Sequence, residues 1–407
     1  MDPVQLLTLW IVLLAAGTLL VRVGQTLAAV GHARAKNAAS AAARSLADLA
    51  ATVLAFSLVG VYLLTYGVRS HFIDIDVDAP INFRALTLHF STMALIASGL
   101  IAPAVAGRAR WGVPLVGSLL VSLVLFPMLG HWVWYGWLSR AGLIDVAGAL
   151  PVHLSGALCA LVAAYCVGAR NGKYNQDGST SMIPGHQATL PAVGTLLMLV
   201  GWIPYVMGSA MLRQADAGSA FVAGAAINAL LAAAAGGVGT MAIGRVRFSE
   251  DDLNALCGGL LSGAIAMTAA GGAIGPWEAG VLGLVAGLLT PLVAQWLDFK
   301  CRIDDPSWVL APHGVGGIVA SLGAAVFLPG SFGAKLQSLG NQCLGNGCIA
   351  IATILLSWIV FAAMGRLVGL RVSESSEYDG LDLVEHDVNA YPDFQQTTIK
   401  SYHLREA

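Results

Sequence analysis

Apolar runs of bilayer-spanning length alternate along the whole chain with short polar breaks. A membrane-crossing helix needs roughly 20 consecutive, mostly apolar residues. Eleven stretches meet that requirement: 5–30, 47–67, 87–106, 112–137, 147–168, 189–210, 217–241, 253–270, 277–297, 306–328 and 347–365. The pattern predicts an all-α integral membrane protein with eleven transmembrane helices. After the last run the chain turns polar, which divides it into a transmembrane domain over 1–370 and a C-terminal tail over 371–407.

The breaks orient the helices. Alternate loops carry Arg34, Lys36, Arg44, Arg108, Arg110, Arg170, Lys173, Arg245, Arg247, Lys300 and Arg302, eleven basic residues in all. The opposite loops carry five: Arg69, Arg84, Arg140, Arg213 and Lys335. The positive-inside rule puts the richer set in the cytoplasm. An odd helix count then places the N-terminus outside and the tail inside, in a multi-pass protein of the cell (inner) membrane. The 68–86 loop, with Asp74, Asp76 and Asp78, faces outside as either a solvated loop or a weak attractor of cations. Cys343 and Cys348 fall in the last outer loop, where an oxidising exterior would allow a disulfide and two inert thiols are the alternative.

Composition sharpens this picture. Of 407 residues, 57% are hydrophobic and only 11% charged, against about a quarter charged in soluble domains. The net charge of −2 offers no basic field for nucleic acid. The 48 glycines suit closely packed membrane helices. None of the six cysteines forms a CxxC pair, so no zinc or thioredoxin-type site is expected. Asp2 precedes the first apolar run and basic residues follow it, unlike a cleaved signal peptide.

Two segments repeat. Asp145-Val-Ala-Gly-Ala-Leu-Pro-Val-His153-Leu-Ser-Gly156 opens helix five, and Asp305-Pro-Ser-Trp-Val-Leu-Ala-Pro-His313-Gly-Val-Gly316 opens helix ten. Each has Asp eight residues before His and Gly three after it. Helices five and ten run in opposite directions, so the chain reads as a 5+5 inverted repeat plus a final helix, with functional groups at the repeat interface. Each Asp sits where a carboxylate caps free backbone N–H groups. Each His lies inside a membrane helix, where ionisable groups are expensive and face a cavity or a partner. Matched positions across a pseudo-twofold favour one shared site. Two histidines without a nearby intramembrane Cys or carboxylate make a poor metal site. His89 and His131, nearer helix ends, read as packing or interface residues, and Arg22 as a snorkelling or paired residue.

Several stretches resemble the ammonium transporter (Amt/Rh/Mep) family. They are DVAGALPVHLSGALCALVAAYCVGAR (145–170), DDPSWVLAPHGVGGIVASLGAAVF (304–327), GWIPYVMGSA (201–210), ARAKNAASAAARSLADLA (33–50) and GLRVSESSEYDGLDLVEHDVNAYPDF (369–394). The resemblance implies the Amt/Rh fold, with residues 1–370 as its channel domain. It matches His153 and His313 to the twin histidines of a narrow pore. It matches Trp134, Ser209 and Asp145 to an outer ammonium-recruitment site, and Asp305 to a structural aspartate. Tyr205 and Met93 stand where the family has its two gate phenylalanines, and Thr268 stands near the pore. Pro312, just before His313, removes a backbone donor.

The resemblance implies an ammonium transporter or ammonia channel rather than an enzyme, since no nucleophile–base or cofactor motif is present. Ammonium would be recruited at the vestibule, deprotonated, and passed as ammonia, with or without its proton, through a hydrophobic twin-His pore. Potassium cannot give up a proton and would be excluded. The alternative is an ammonium sensor that signals through its tail to a fused or partner domain. A third reading is an Rh-like gas channel for ammonia or carbon dioxide. The family also implies a homotrimer and a PII-type regulatory protein as partner; no cofactor is expected. The last residues, 397–407, place Ile399, Tyr402 and Leu404 on one helical face, as a disordered end or the start of a linker.

Overall fold

The computed structural model describes residues 2–66, 82–213, 218–249 and 252–392. Asp74, Asp76 and Asp78, and Ile399, Tyr402 and Leu404, lie outside the described residues. Among the described residues there are eleven principal helices: α1 Pro3–His32, α2 Ala35–Leu64, α3 Phe83–Ala104, α4 Gly112–Arg140, α5 Ala149–Val167, α6 Thr189–Arg213, α7 Gly218–Arg247, α8 Leu253–Ile265, α9 Pro276–Lys300, α10 Leu310–Phe327 and α11 Phe332–Leu367. Ten are long and apolar enough to cross a bilayer; α8 is shorter. Two short helices, α12 Glu374–Asp379 and α13 Leu381–His386, form the tail.

Three helices differ from expectation, two of them through polar residues that turn inward. α2 starts at Ala35 rather than at 47, because Arg44 is buried against partners instead of marking a loop. α11 starts at Phe332 rather than at 347. Its Gln342, fully buried, donates Nε2–H to the Ile144 carbonyl at 3.0 Å and accepts the Ser321 hydroxyl at 2.7 Å. The disulfide expectation fails with it: Cys343 and Cys348 lie inside α11 and both are free. Five residues along a helix leave two side chains about 7.5 Å apart along the axis and on divergent faces, beyond disulfide geometry. α8 stops at Ile265, and its C-terminal turns bind the segment before α5: Val146 and Ala147 donate backbone N–H to the Ala269 and Thr268 carbonyls at 3.1 and 2.7 Å.

The inverted repeat is visible in the contacts. α1 and α6, the first helices of the two halves, cross where Gly24 and Gly194 meet. A Cβ on Gly24 would lie 2.3 Å from the Gly194 carbonyl oxygen, and one on Gly194 would lie 2.5 Å from that of Gly24. Only glycine permits this reciprocal approach. The capping aspartates repeat as well: Asp145 Oδ2 accepts the Leu150 N–H at 2.9 Å, and Asp305 Oδ2 accepts the Leu310 N–H at 2.8 Å. Arg22, inside α1, pairs with Asp48 of α2 and donates to the Ser45 carbonyl at 2.8 Å. Both charges are buried, so the pair closes a desolvation cost that either alone would leave open.

One face of the bundle gathers the basic loops and the tail. Asp382 of α13 caps α2 from outside its own helix, accepting the Ala39 and Ser40 N–H groups at 3.0 and 2.7 Å. Arg44 forks onto Glu385 at 2.9 and 2.8 Å, Lys36 donates to the Glu377 carbonyl at 2.8 Å, and Asn171 N–H donates to Glu377 Oε1 at 2.7 Å. Asp382→Ala is expected to release the tail. Limited proteolysis of the purified chain should then cut after residue 370 on the order of ten times faster, the ratio for losing about 1.5 kcal/mol of cap.

Arg108 and Arg170 clamp the loop before α10. Arg170 grips Asp304 through Nε and Nη2, both at 2.8 Å, while Arg108 Nη2 donates to the Asp304 carbonyl at 2.7 Å. Burial pushes the Asp304 carboxyl up, but the Arg170 hydrogen bonds and the two positive charges outweigh it and hold it at about 2. That lies below its unfolded value, so the clamp contributes fully above about pH 4 and is lost as pH falls toward about 2. The contribution is about 2 kcal/mol. Thermal denaturation of native protein and Asp304→Asn should show a constant gap above about pH 5 that closes below about pH 4.

Candidate functional site

A single face of α6 organises the site. Trp202, Tyr205, Ser209 and Arg213 follow at intervals of three or four residues, so they stack along one side of the helix. They span about 16 Å of the bundle interior. Opposite them stand α3, α4 and the start of α5.

At the mouth, Trp134 of α4 is buried against Phe90 of α3 and Phe126, with ring centroids 5.4 and 5.9 Å away. Its indole N–H donates to the Asp145 carbonyl at 2.9 Å, which fixes the ring. Below it, the Ser209 hydroxyl and His89 Nε2 are 3.2 Å apart. Tyr205 follows, fully buried, its hydroxyl donating to the Ala147 carbonyl. Met93, one turn along α3 from His89, packs beside Gly148, whose added Cβ would come within 3.3 Å of the Met93 methyl.

Asp145 is buried. Its Oδ1 accepts Gly148 and Ala149 N–H at 2.7 and 2.8 Å, and Oδ2 accepts Leu150 N–H. It is a cap that also places negative charge beneath the vestibule. Gly148 adopts φ +89°, a conformation glycine alone enters freely. Its carbonyl then accepts both Val152 and His153 N–H at 3.0 and 3.3 Å, and the wider turn over Ala149–Leu154 carries His153 inward.

His153 stacks on Trp202 with centroids 5.3 Å apart and planes 22° apart. Its Nδ1 lies 3.1 Å from Nδ1 of His313. One imidazole must donate there and the other accept, so the pair shares a proton at that contact. Both rings are buried, and His153 Nε2 has no protein hydrogen-bond partner among the described residues. Beyond His313 lies a cavity of about 40 Å³ lined by His313, Pro312, Met198, Gln25, His32 and Asn254. That is room for small polar molecules, since one water needs about 10–15 Å³. Pro312 sits in the first turn of α10, where its missing N–H has no intrahelical acceptor to lose. Asp305 also accepts the Ser307 N–H, at 3.3 Å, at the start of α10.

The remaining expectations divide. Thr268 is fully buried, but its hydroxyl donates to the Ile265 carbonyl at 2.7 Å, so it ties off the end of α8. His131 bonds the Leu64 carbonyl at 2.9 Å, as a packing residue does. His89 departs from its expected packing role, because it faces Ser209 inside the vestibule. Its spacing of four from Met93 was the available signal. Arg213, counted among loop charges, lies one turn beyond Ser209 and covers the aromatic rings. Trp202 was not singled out.

A bundle of this length, with a buried histidine pair between an aromatic vestibule and an inner cavity, defines a multi-pass membrane transport protein. The family model described as Ammonium Transporter Family matches residues 9–391, and the chain belongs to that family. It is 31% identical to the ammonium transporter Amt2 of Archaeoglobus fulgidus over 95% of this chain and 88% of that one. It is 32% identical to the ammonium transporter Amt1 of Haloferax mediterranei over 95% and 79% of the respective chains. Among solved structures, one named Sensor Amt Protein superposes with a TM-score of 0.87 at 28% identity, covering 94% of this chain and 99% of that one. Mep2 of Candida albicans shares the fold at a TM-score of 0.77 and 23% identity, covering 91% and 86%.

Proposed function

We propose that the chain, over residues 1–370, recruits ammonium at the Trp134–Ser209 vestibule, strips its proton, and passes ammonia through the apolar column to the inner cavity. The observation that carries this reading is the His153–His313 contact of 3.1 Å beneath the aromatic mouth. Trp134 supplies a π-face and Ser209 an oxygen acceptor for a cation that donates hydrogen bonds in four directions. Asp145 adds negative potential without touching the ion. A bare cation entering the column below would lose its hydration against apolar walls, a cost of many kcal/mol. Neutral ammonia pays far less.

The proton has its own route. A proton arriving at His153 Nε2 releases the one on His153 Nδ1 to His313 Nδ1, and His313 Nε2 then releases one to the inner cavity. Each imidazole ends neutral with its tautomer exchanged. Potassium has no proton to give and stays outside. The basic face that holds the tail is the cytoplasmic face in this reading, with the N-terminus outside. The assembly is a homotrimer, and the tail over 371–407 is the surface for a PII-type regulator. The test is an ammonium jump on the full chain in proteoliposomes adsorbed to a supported membrane. A saturable current, absent with potassium, is the expected result; no ammonium-evoked current would reject conduction.

A second reading is ammonium sensing, in which the vestibule binds and the tail reports. Two observations favour it: the match across 99% of a solved structure named Sensor Amt Protein, and Met93 and the tethered Tyr205 at the gate. Ammonium binding without current, together with a changed rate of tail proteolysis on binding, would establish it.

A further inference from the structure

The vestibule already holds a positive charge. The Arg213 guanidinium carbon lies 4.4 Å from the Trp134 ring centre, 5.2 Å from that of Tyr135 and 5.6 Å from that of Phe90. These are the distances of cation–π contacts. Arg213 ends α6 one turn beyond Ser209, on the face that carries Ser209 and Tyr205. The guanidinium therefore covers the same Trp134 ring that a bound ammonium ion would need. We propose that Arg213 is a tethered cation occupying the aromatic site at the mouth, that ammonium enters by displacing it, and that this residue sets the ammonium affinity of the vestibule. The proposal rests on the vestibule reading above and deepens it.

The physical grounds are competition and reach. Two cations cannot share one ring face closely, because like charges repel and each needs the π-electrons the other uses. A tethered group has no translational entropy to lose when it reseats, so it competes at a high effective concentration. Its side chain is long and unbranched, with several rotatable bonds, so a swing toward the polar edge of the mouth needs no backbone change. Asp145 acts on it as a nearby negative charge, while its carboxylate oxygens hold backbone N–H groups. Displacement then breaks the ring contacts and the side-chain hydrogen bond to Tyr135. Each cation–π contact corresponds to about a 2- to 30-fold change in an equilibrium constant.

The test is ammonium chloride titration of the full purified chain at constant ionic strength, read by tryptophan fluorescence and calorimetry. Arg213→Gln should lower the half-saturating ammonium concentration by about 2- to 30-fold. Arg213→Ala should do the same, and added guanidinium chloride should then compete with ammonium and restore the weaker apparent affinity. Should the glutamine variant fail to fold, Arg213→Lys serves: it keeps the charge but loses the planar stacking face, and should lower the half-saturating concentration by less. Trp134→Leu is the companion, expected to abolish binding. An unchanged or raised half-saturating concentration in the Arg213 variants, with Trp134→Leu still abolishing binding, overturns the proposal and leaves the vestibule standing. Native-like binding in Trp134→Leu overturns the vestibule reading, and the proposal falls with it. Binding absent from native protein and from every Arg213 variant sinks both.

Discussion

His313→Ala is expected to reduce the ammonium-evoked current on the order of 100-fold while leaving ammonium binding at the mouth intact. The size follows from the relay. A positioned acid–base group contributes roughly 100- to 10,000-fold to a proton transfer, and the His153–His313 contact is a chain of two such groups with no parallel member between them. Removing one ring leaves His153 Nδ1 without its acceptor or donor and opens a gap that a single imidazole cannot bridge. His153→Ala should give a similar loss, and the double variant little more, because the two rings act as one unit. The vestibule is a separate structure: Trp134, Ser209 and His89 lie above Tyr205 and are not bonded to His313. Binding by fluorescence and current on supported membranes should therefore separate. A near-native current in His313→Ala would place the proton route elsewhere.

Asp145→Ala is expected to cost about 4 kcal/mol of stability, and Asp145→Asn about half that. The carboxylate is buried and accepts three backbone N–H groups at 2.7, 2.8 and 2.9 Å. Each orphaned buried donor costs about 1–3 kcal/mol. Asparagine keeps one acceptor oxygen for two of the three and sets an N–H₂ against the third. Thermal unfolding in detergent should rank native above Asn above Ala. If loss of charge were the main effect, Asn and Ala would be equally damaged in ammonium affinity while differing in stability. If geometry dominates, affinity and stability will fall together, because the Asp145 carbonyl also holds the Trp134 indole.

Much of the architecture was legible in the residues because the bilayer imposes a single rule. Backbone groups in hydrocarbon must be paired internally, so every apolar run of sufficient length becomes a helix. The two Asp-to-His spacings, equal in both halves, announced the inverted repeat and predicted that His153 and His313 belong to one site. The failures came where a polar residue had two possible destinations. Arg44 was read as a loop residue and Gln342 fell before the last predicted span, yet both are buried against partners far along the chain. Hydropathy assigns such residues to water, since it does not know which neighbour will accept their hydrogen bonds.

The helix count, the repeat, the buried histidine pair and the capping aspartates thus follow from local pattern: length, spacing and residue type suffice where one solvent and one backbone rule act. The content of the vestibule does not. His89 facing Ser209, Tyr205 tied to Ala147, and Arg213 lying over Trp134 depend on the rotation of α3, α4 and α6 about their axes and on their mutual distance. Those quantities are set by close approaches such as Gly24 against Gly194, contacts between residues distant in the chain, and they decide which cation the aromatic rings meet.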